Sequence, residues 1–265
     1  MNVISLFNGM GTLRQAFEDM GIKVDKYYSS EIKPYAIELQ QHHFPDVIQV
    51  GNIENWKEWD IDWANIDFIG SGSPCQDLSA AGKRAGINGS RSSLFFTFVE
   101  IFEHVKTLNT NVKFLQENVG SANKKDVGIM SRALGVYPVR INSSLVTAQQ
   151  RDRYYWTNIK TKQTLFDIVS DIPQPKERNI MFKDILTSGE TDKEKHTCLN
   201  TGSGSGGTQR YLKHRNSTTG MITLIYEEED ELTQRKSGSL LGDGWTLPII
   251  IHILSFMELS ESTTI

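Results

Sequence analysis

The sequence predicts an α/β fold: a mixed, mostly parallel sheet with helices on both faces. Three observations point there. Apolar runs of strand length alternate with helical patterns of about 10–15 residues, the signature of successive βαβ units. The first strand runs straight into a glycine turn, Phe7-Asn8-Gly9-Met10-Gly11. The fourth ends at Gly70-Ser71-Gly72 and holds up Cys75, where such folds place reactive groups, at the carboxyl end of the sheet.

The elements follow in order. Val3-Ile4-Ser5-Leu6 makes a first strand at 2–6, and its glycine turn opens a helix near 12–20. A turn of this kind lets a cofactor approach the backbone and meet a helix N-terminus, although short glycine turns are common after strands. The second strand, 25–31, ends in Glu31, an acid that either contacts a ribose or is simply exposed. A helix near 34–43 leads to a strand at 47–50, then to Asn52-Ile53, a nonspecific place for adenine contacts. The fourth strand, 66–70, carries Ile66, Phe68 and Ile69. Cys75 is either a buried structural thiol or a nucleophile; Pro74 and the polar, glycine-rich stretch 77–92 argue for exposure. A helix near 92–107 precedes the fifth strand, 112–117, which delivers Glu117-Asn118-Val119. A helix at 123–134, a strand at 137–144 and a strand at 154–158 complete the pattern. Just before that last strand, Arg151 and Arg153 in Gln149-Gln150-Arg151-Asp152-Arg153 share a face, which suits anion or base-edge contacts as well as surface salt bridges.

The alternation breaks after Lys160. From Pro173 to about Arg215 the chain is polar, turn-rich and basic, and includes Gly202-Ser203-Gly204-Ser205-Gly206-Gly207. It is a flexible linker or a small second domain with binding loops; Ile180, Phe182, Ile185 and Leu186 favour packed structure. A final helix, roughly Leu247–Met257, follows Gly242-Asp243-Gly244 and suits docking onto the first domain.

Composition narrows the classes. At 30.0 kDa, 38% hydrophobic and 23% charged, the chain has the make-up of an ordinary soluble globular protein. It contains no 18-residue apolar stretch, so we expect no membrane span, and it opens directly on a strand, so we expect no leader. Two cysteines, Cys75 and Cys198, make no disulfide framework and suit a reducing cytoplasm. The histidines and cysteines show no metal-ligand spacing, so no metal is expected. The net charge of −4 is unhelpful to nucleic-acid binding, but it is uneven. Five acids form the run Glu227–Glu231, whereas residues 176–215 hold eight Lys/Arg against five Asp/Glu, a balance of +3.

Taken together and in this order, the segments resemble the DNA cytosine-5 methyltransferases. Phe7-Asn8-Gly9-Met10-Gly11 is similar to that family's S-adenosylmethionine turn, and Ser73-Pro74-Cys75-Gln76 to its Pro-Cys loop. Glu117-Asn118-Val119 resembles its Glu-Asn-Val motif, and the segment ending in Arg153 its Gln-x-Arg-x-Arg motif. Gly82-Lys83-Arg84-Ala85-Gly86-Ile87, then Arg91-Ser92-Ser93-Leu94-Phe95-Phe96, matches the loop and helix after the cysteine. Leu241-Gly242-Asp243-Gly244-Trp245-Thr246 resembles the last motif, which returns to the cofactor. The likeness covers 1–160 and 240–258 and is closest to phage-type and de novo-type members.

The resemblance implies a Rossmann-like S-adenosylmethionine-dependent methyltransferase fold, with a catalytic domain at 1–159 and 241–265 and a small target recognition domain at 160–240. Phe7, Gly9, Met10, Gly11, Glu31, Ile32, Asn52 and Ile53 would then line the cofactor site, joined by Ser73, Pro74, Leu94, Asp243 and Trp245. The Cys75 thiolate would attack cytosine C6 and so activate C5 towards methyl transfer, leaving S-adenosylhomocysteine. Glu117 would bind the N3 side, Arg153 the O2, and Arg151 would support the cleft; nearby cations would lower the thiol from its ordinary ~8.5. The base must be flipped out of double-stranded DNA. Gln76, Ser79, Lys83, Arg84 and Arg91 after the cysteine, and Arg210, Lys213 and Arg215 in the basic segment, would meet the DNA. The resemblance further implies a monomer in a bacterial or phage-infected cytoplasm, and is compatible with a cognate restriction endonuclease beside it.

Several residues depart from the family's pattern. Its Arg-x-Leu-Thr-Pro-x-Glu segment has no counterpart between Gln209 and Gln234. Asp243 replaces an Asn, Asn52 an Asp, and Gln116 an apolar residue. The first departure leaves a catalytically weak or regulatory DNA-binding homologue as the alternative reading, with a tRNA cytosine-5 methyltransferase behind it. A cysteine hydrolase is weaker still, because no histidine lies at a predicted strand end near Cys75.

Overall fold

The computed structural model describes residues 1–74, 94–185, 193–197 and 244–258. In chain order these contain β1 (Asn2–Leu6), α1 (Thr12–Asp19), β2 (Lys26–Ser30), α2 (Pro34–His43), β3 (Ile48–Gln49) and β4 (Phe68–Ser71). Next come α3 (Leu94–Leu108), β5 (Lys113–Val119), α4 (Lys124–Leu134), β6 (Val139–Asn142), β7 (Gln149–Gln150) and β8 (Asp152–Thr157). Beyond residue 160 lie β9 (Thr161–Gln163), β10 (Ile168–Ser170), β11 (His196–Thr197) and α5 (Leu247–Leu254).

Seven strands form one sheet in the order β3-β2-β1-β4-β5-β8-β6. The first five are parallel, β8 runs against β5, and β6 runs against β8. The chain winds outward from β1 to β3 and then returns to place β4 on the other side of β1. That reversal opens a crevice at the carboxyl ends of β1 and β4, where α/β folds bind ligands.

Both faces are covered, because alternate side chains of each strand point opposite ways. Ile4, Ile69, Phe114 and Trp156 pack under Phe95, Phe98 and Phe102 of α3 and Met130 of α4. Val3, Phe68, Leu115 and Tyr155 pack under Leu13 and Phe17 of α1 and Ile249 and Ile253 of α5. Each such side chain contributes about 1.5–3 kcal/mol of hydrophobic stabilisation. The final helix packs against α1.

Most differences from the expected boundaries trace to side chains that take over backbone partners. The strand expected at 137–144 is shortened to β6, because Asn142 accepts a hydrogen bond from the Ser144 amide and starts a 3-10 turn. The second strand stops at Ser30, because the Glu31 carboxylate accepts from the amides of Ile32 and Lys33. The last helix ends at Leu254 rather than Met257, where the Ser255 hydroxyl donates to the His252 carbonyl. The fourth strand begins at Phe68 instead of Ile66, which closes a 3-10 turn at Trp63–Asn65.

The described residues after Lys160 pack closely on what precedes them. β9 and β10 form a hairpin; Tyr137 bridges to Val169, and the Ser170 hydroxyl donates to the Thr157 carbonyl. β11 pairs in parallel with β7. The Lys195 ammonium donates to three carbonyls, those of Ser144, Thr147 and Ile180, at 2.9, 3.1 and 2.6 Å. No helix among the described residues is long and apolar enough to cross a membrane.

Candidate active site

The glycine turn after β1 is built from left-handed backbone. Gly9 and Gly11 have φ of +59° and +88°, and so does Phe7, at +56°. A side-chain-bearing residue adopts that region at a cost, and such strain gathers at functional sites. Polar groups hold the turn from below. Tyr27 donates to Asn8 Oδ1 at 2.9 Å, and Asn8 Nδ2 to Ser29 Oγ at 3.0 Å. The Ser29 hydroxyl continues to Gln40 Oε1 at 2.9 Å, and the Gln49 amide donates to the same oxygen. Above the turn, Gly9 faces open space.

Glu31 is drawn into this turn: its Oε2 accepts from the Gly9 amide at 2.8 Å. Beside it Ile32 is 68% exposed, an apolar ledge at the rim of the crevice. The Gly51 carbonyl accepts from Ser30 Oγ, which brings Asn52 close by. Asn52 caps the following 3-10 turn, accepting from the Glu54 amide at 3.1 Å and donating to its carboxylate at 3.0 Å. An aspartate could accept there but would repel Glu54. Ile53 is buried among Ile4, Leu6 and Tyr28, so its side chain belongs to the core. Met10 is half-buried in the turn. An acid beside an open glycine turn, with an apolar ledge at its edge, fits the ribose and adenine of a nucleoside-type cofactor.

Trp245 reaches the same crevice from the far end of the chain. Together with Phe7, Asn8 and Thr12 it lines a small cleft. A Cβ added at Gly72 would fall 2.7 Å from its indole nitrogen, so only glycine allows this approach. Ser73 is buried next to it, and Pro74 is half-buried. Leu94, half-buried, opens α3.

The antiparallel course of β8 brings its first residues to the carboxyl end of β5. In this register Arg153 lies opposite Val119, diagonal to Glu117. Arg153 Nε stands 2.6 Å from Glu117 Oε1 and Arg151 Nη2 4.0 Å from the same oxygen. All three side chains are largely buried, yet Oε1 has no well-aligned hydrogen-bond donor. The two arginines, expected to share a face, therefore converge on one carboxylate. Below them, Tyr155 has its phenol pushed well above the ordinary range, first by burial and then by the charge of Glu117.

The structure thus gathers Glu117, Arg151 and Arg153 at one end of β5, and Phe7, Gly9, Glu31 and Trp245 around the neighbouring crevice. Cys75, Gln76, Ser79, Lys83, Arg84, Arg91, Arg210, Lys213, Arg215 and Asp243 lie outside the described residues. Among the described residues no group of three His, Cys, Asp or Glu could hold a metal ion. Sequence reasoning assigned no role to Asn8, Asn118 or Gln40, whose polar side chains are buried or half-buried beneath the crevice; a polar residue inside a strand or helix could have flagged Asn118 and Gln40, whereas Asn8 sits in the turn, where a polar residue is ordinary.

Residues 1–240 match the model of a family described as C-5 cytosine-specific DNA methylase. The chain is 31% identical over 202 residues to the Type II methyltransferase M.NgoBV of Neisseria gonorrhoeae, covering 69% of this chain and 47% of that protein. It is 28% identical over 204 residues to the orphan methyltransferase M.SPRI of Bacillus phage SPR, covering 72% and 43%. The chain thus spans about half the length of such curated relatives. Among solved structures, the Entamoeba histolytica methyltransferase EhMeth superposes with a TM-score of 0.63 at 16% identity, covering 97% of each chain. The S. pombe Dnmt2 methyltransferase gives 0.60 at 14%, covering 96% of this chain and 97% of that one.

Proposed function

Because the chain belongs to the C-5 cytosine-specific DNA methylase family, we propose that it methylates C5 of cytosine in DNA, taking the methyl group from S-adenosylmethionine. The observation that carries this reading is the convergence of Glu117, Arg151 and Arg153 at the carboxyl end of β5, beside the strand that leads into Pro74-Cys75. A carboxylate held between two arginines at a strand end places opposite charges side by side, where a ring that gains charge can be stabilised.

Phe7, Gly9, Met10, Gly11, Glu31, Ile32 and Trp245 would hold the cofactor, with Asn52, Ile53, Ser73, Pro74, Leu94 and Asp243 around them. When bound, S-adenosylmethionine supplies an electrophilic methyl group. The chain's own residues do the rest. The Cys75 thiolate adds to cytosine C6, breaking the C5–C6 double bond and making C5 nucleophilic. Glu117 holds the N3 side of the ring, and Arg153 the O2, as charge moves onto the base. After methyl transfer, loss of the C5 proton lets Cys75 leave and restores the ring.

Residues 160–240 would form the recognition domain, with 1–159 and 241–265 the catalytic one. Gln76, Ser79, Lys83, Arg84, Arg91, Arg210, Lys213 and Arg215 would contact DNA around the flipped base. The reading extends to a cytoplasmic monomer, paired with a restriction endonuclease if one exists. The test is labelled methyl transfer to cytosine-containing duplexes and to tRNA, with bisulfite sequencing of DNA from expressing cells. Label in duplex cytosine supports the proposal. Label in tRNA alone would move the substrate to RNA, and none on any substrate would favour the regulatory homologue.

A further inference from the structure

Gln116 is fully buried in β5, immediately after the fully buried Leu115. In the sheet it lies between Ser71 of β4 and Trp156 of β8. Its amide nitrogen donates twice, to Ser73 Oγ at 2.9 Å and to the Glu117 carbonyl at 2.7 Å. Asn118 donates more weakly to the same Ser73 hydroxyl, at 3.3 Å. The Gln116 carbonyl oxygen has no partner, and neither has the buried hydroxyl of Ser71 opposite it. Burying an unsatisfied carbonyl is destabilising. An apolar residue of similar size would avoid that cost and fill the same space, so stability alone does not account for glutamine here.

The two bonds of the amide do. Ser73 stands two residues before Cys75 in the chain, and Glu117 follows Gln116 directly. One side chain therefore ties the backbone leading to the nucleophile to the backbone carrying the carboxylate. We infer that Gln116 is a positioning residue: through Ser73 it holds Ser73-Pro74, the residues that lead into Cys75, in place relative to Glu117, at the expense of stability. It touches none of the reacting atoms itself. The inference rests on the methyltransferase reading.

The test uses the full chain, S-adenosylmethionine at saturation, and a duplex carrying 5-fluorocytosine. Fluorine at C5 blocks the proton loss that releases Cys75, so the covalent adduct accumulates and its rate of formation can be timed. Gln116→Met should slow adduct formation roughly tenfold or more, as misplacement of reacting groups does. Cofactor and duplex affinities should stay within about twofold, and Tm should hold or rise. Because Gln116 acts through Ser73, Ser73→Ala combined with Gln116→Met should lose no more than the worse single variant. Three results would overturn the inference: an unchanged rate in Gln116→Met, a slower rate matched by a lower Tm, or additive losses in the double variant. If the wild-type chain forms no adduct and transfers no methyl group, the methyltransferase reading itself fails and this inference falls with it.

Discussion

Arg153 Nε and Glu117 Oε1 stand 2.6 Å apart across β5 and β8, the contact that ties the one antiparallel neighbour of β5 to its carboxyl end. The pair is largely buried, so removing one member strands the other's charge. Glu117→Gln should cut turnover by about a hundredfold or more, while duplex binding changes little. Arg153→Ala should lose both turnover and stability, since it leaves the buried Glu117 side chain with Arg151 Nη2 at 4.0 Å as its remaining ion-pair partner. Steady-state kinetics and chemical denaturation of the two variants separate these effects. Normal turnover in Glu117→Gln would remove its assigned role.

Cys75→Ser should abolish methyl transfer and keep DNA affinity, because an alcohol is a far poorer nucleophile than a thiolate at neutral pH. Gel-shift titration beside labelled transfer checks both halves. A serine variant with full activity would refute covalent attack.

Gly72→Ala tests the approach of Trp245. Its methyl group would sit 2.7 Å from the indole nitrogen, so Trp245 must shift away from the crevice. Calorimetric titration with S-adenosylmethionine should show weaker binding, and the smaller ring of Trp245→Phe should restore part of it in the double variant. Equal affinity in Gly72→Ala and wild type would show that Trp245 does not shape the cofactor site.

Alkaline titration should expose the buried Tyr155. Its phenol is raised in the folded state by burial and by Glu117, so the folded protein holds that proton more tightly than the unfolded chain. The resulting stability is complete below the ordinary tyrosine value of about 10 and falls as pH climbs above it. Tyr155→Phe should flatten that alkaline decline in urea unfolding measured from pH 8 to 11. Parallel curves for the two proteins would contradict it.

The parallel half of the sheet was legible because each strand is an apolar run closed by a glycine or a polar pair, and the final helix because its apolar residues recur at helical spacing. The direction of β8 was not. Asp152–Thr157 carries the same alternation whichever way it runs, and only its pairing with β5 shows that Arg153, at its beginning, meets Glu117 at the other strand's end. Glu31 and the glycine turn could be read as a pair from their separation, although nothing in the sequence shows that the Gly9 amide binds the acid directly. Gln116 could be seen only as an oddity, because its interior amide gains its meaning from Ser73, 43 residues away. Lys195 stood out as one charge in a basic segment, but its three carbonyl partners come from Ser144, Thr147 and Ile180.

The docking of Trp245 and α5 also orders events in time. The glycine turn, Glu31 and the β5 carboxylate are all made within the first half of the chain, yet one wall of the crevice arrives more than two hundred residues after the turn it covers. During synthesis, then, a chain paused on the ribosome before residue 244 would carry nearly every motif and still leave Gly72 uncovered. Competence to close the crevice comes only once α5 has left the exit tunnel and found α1.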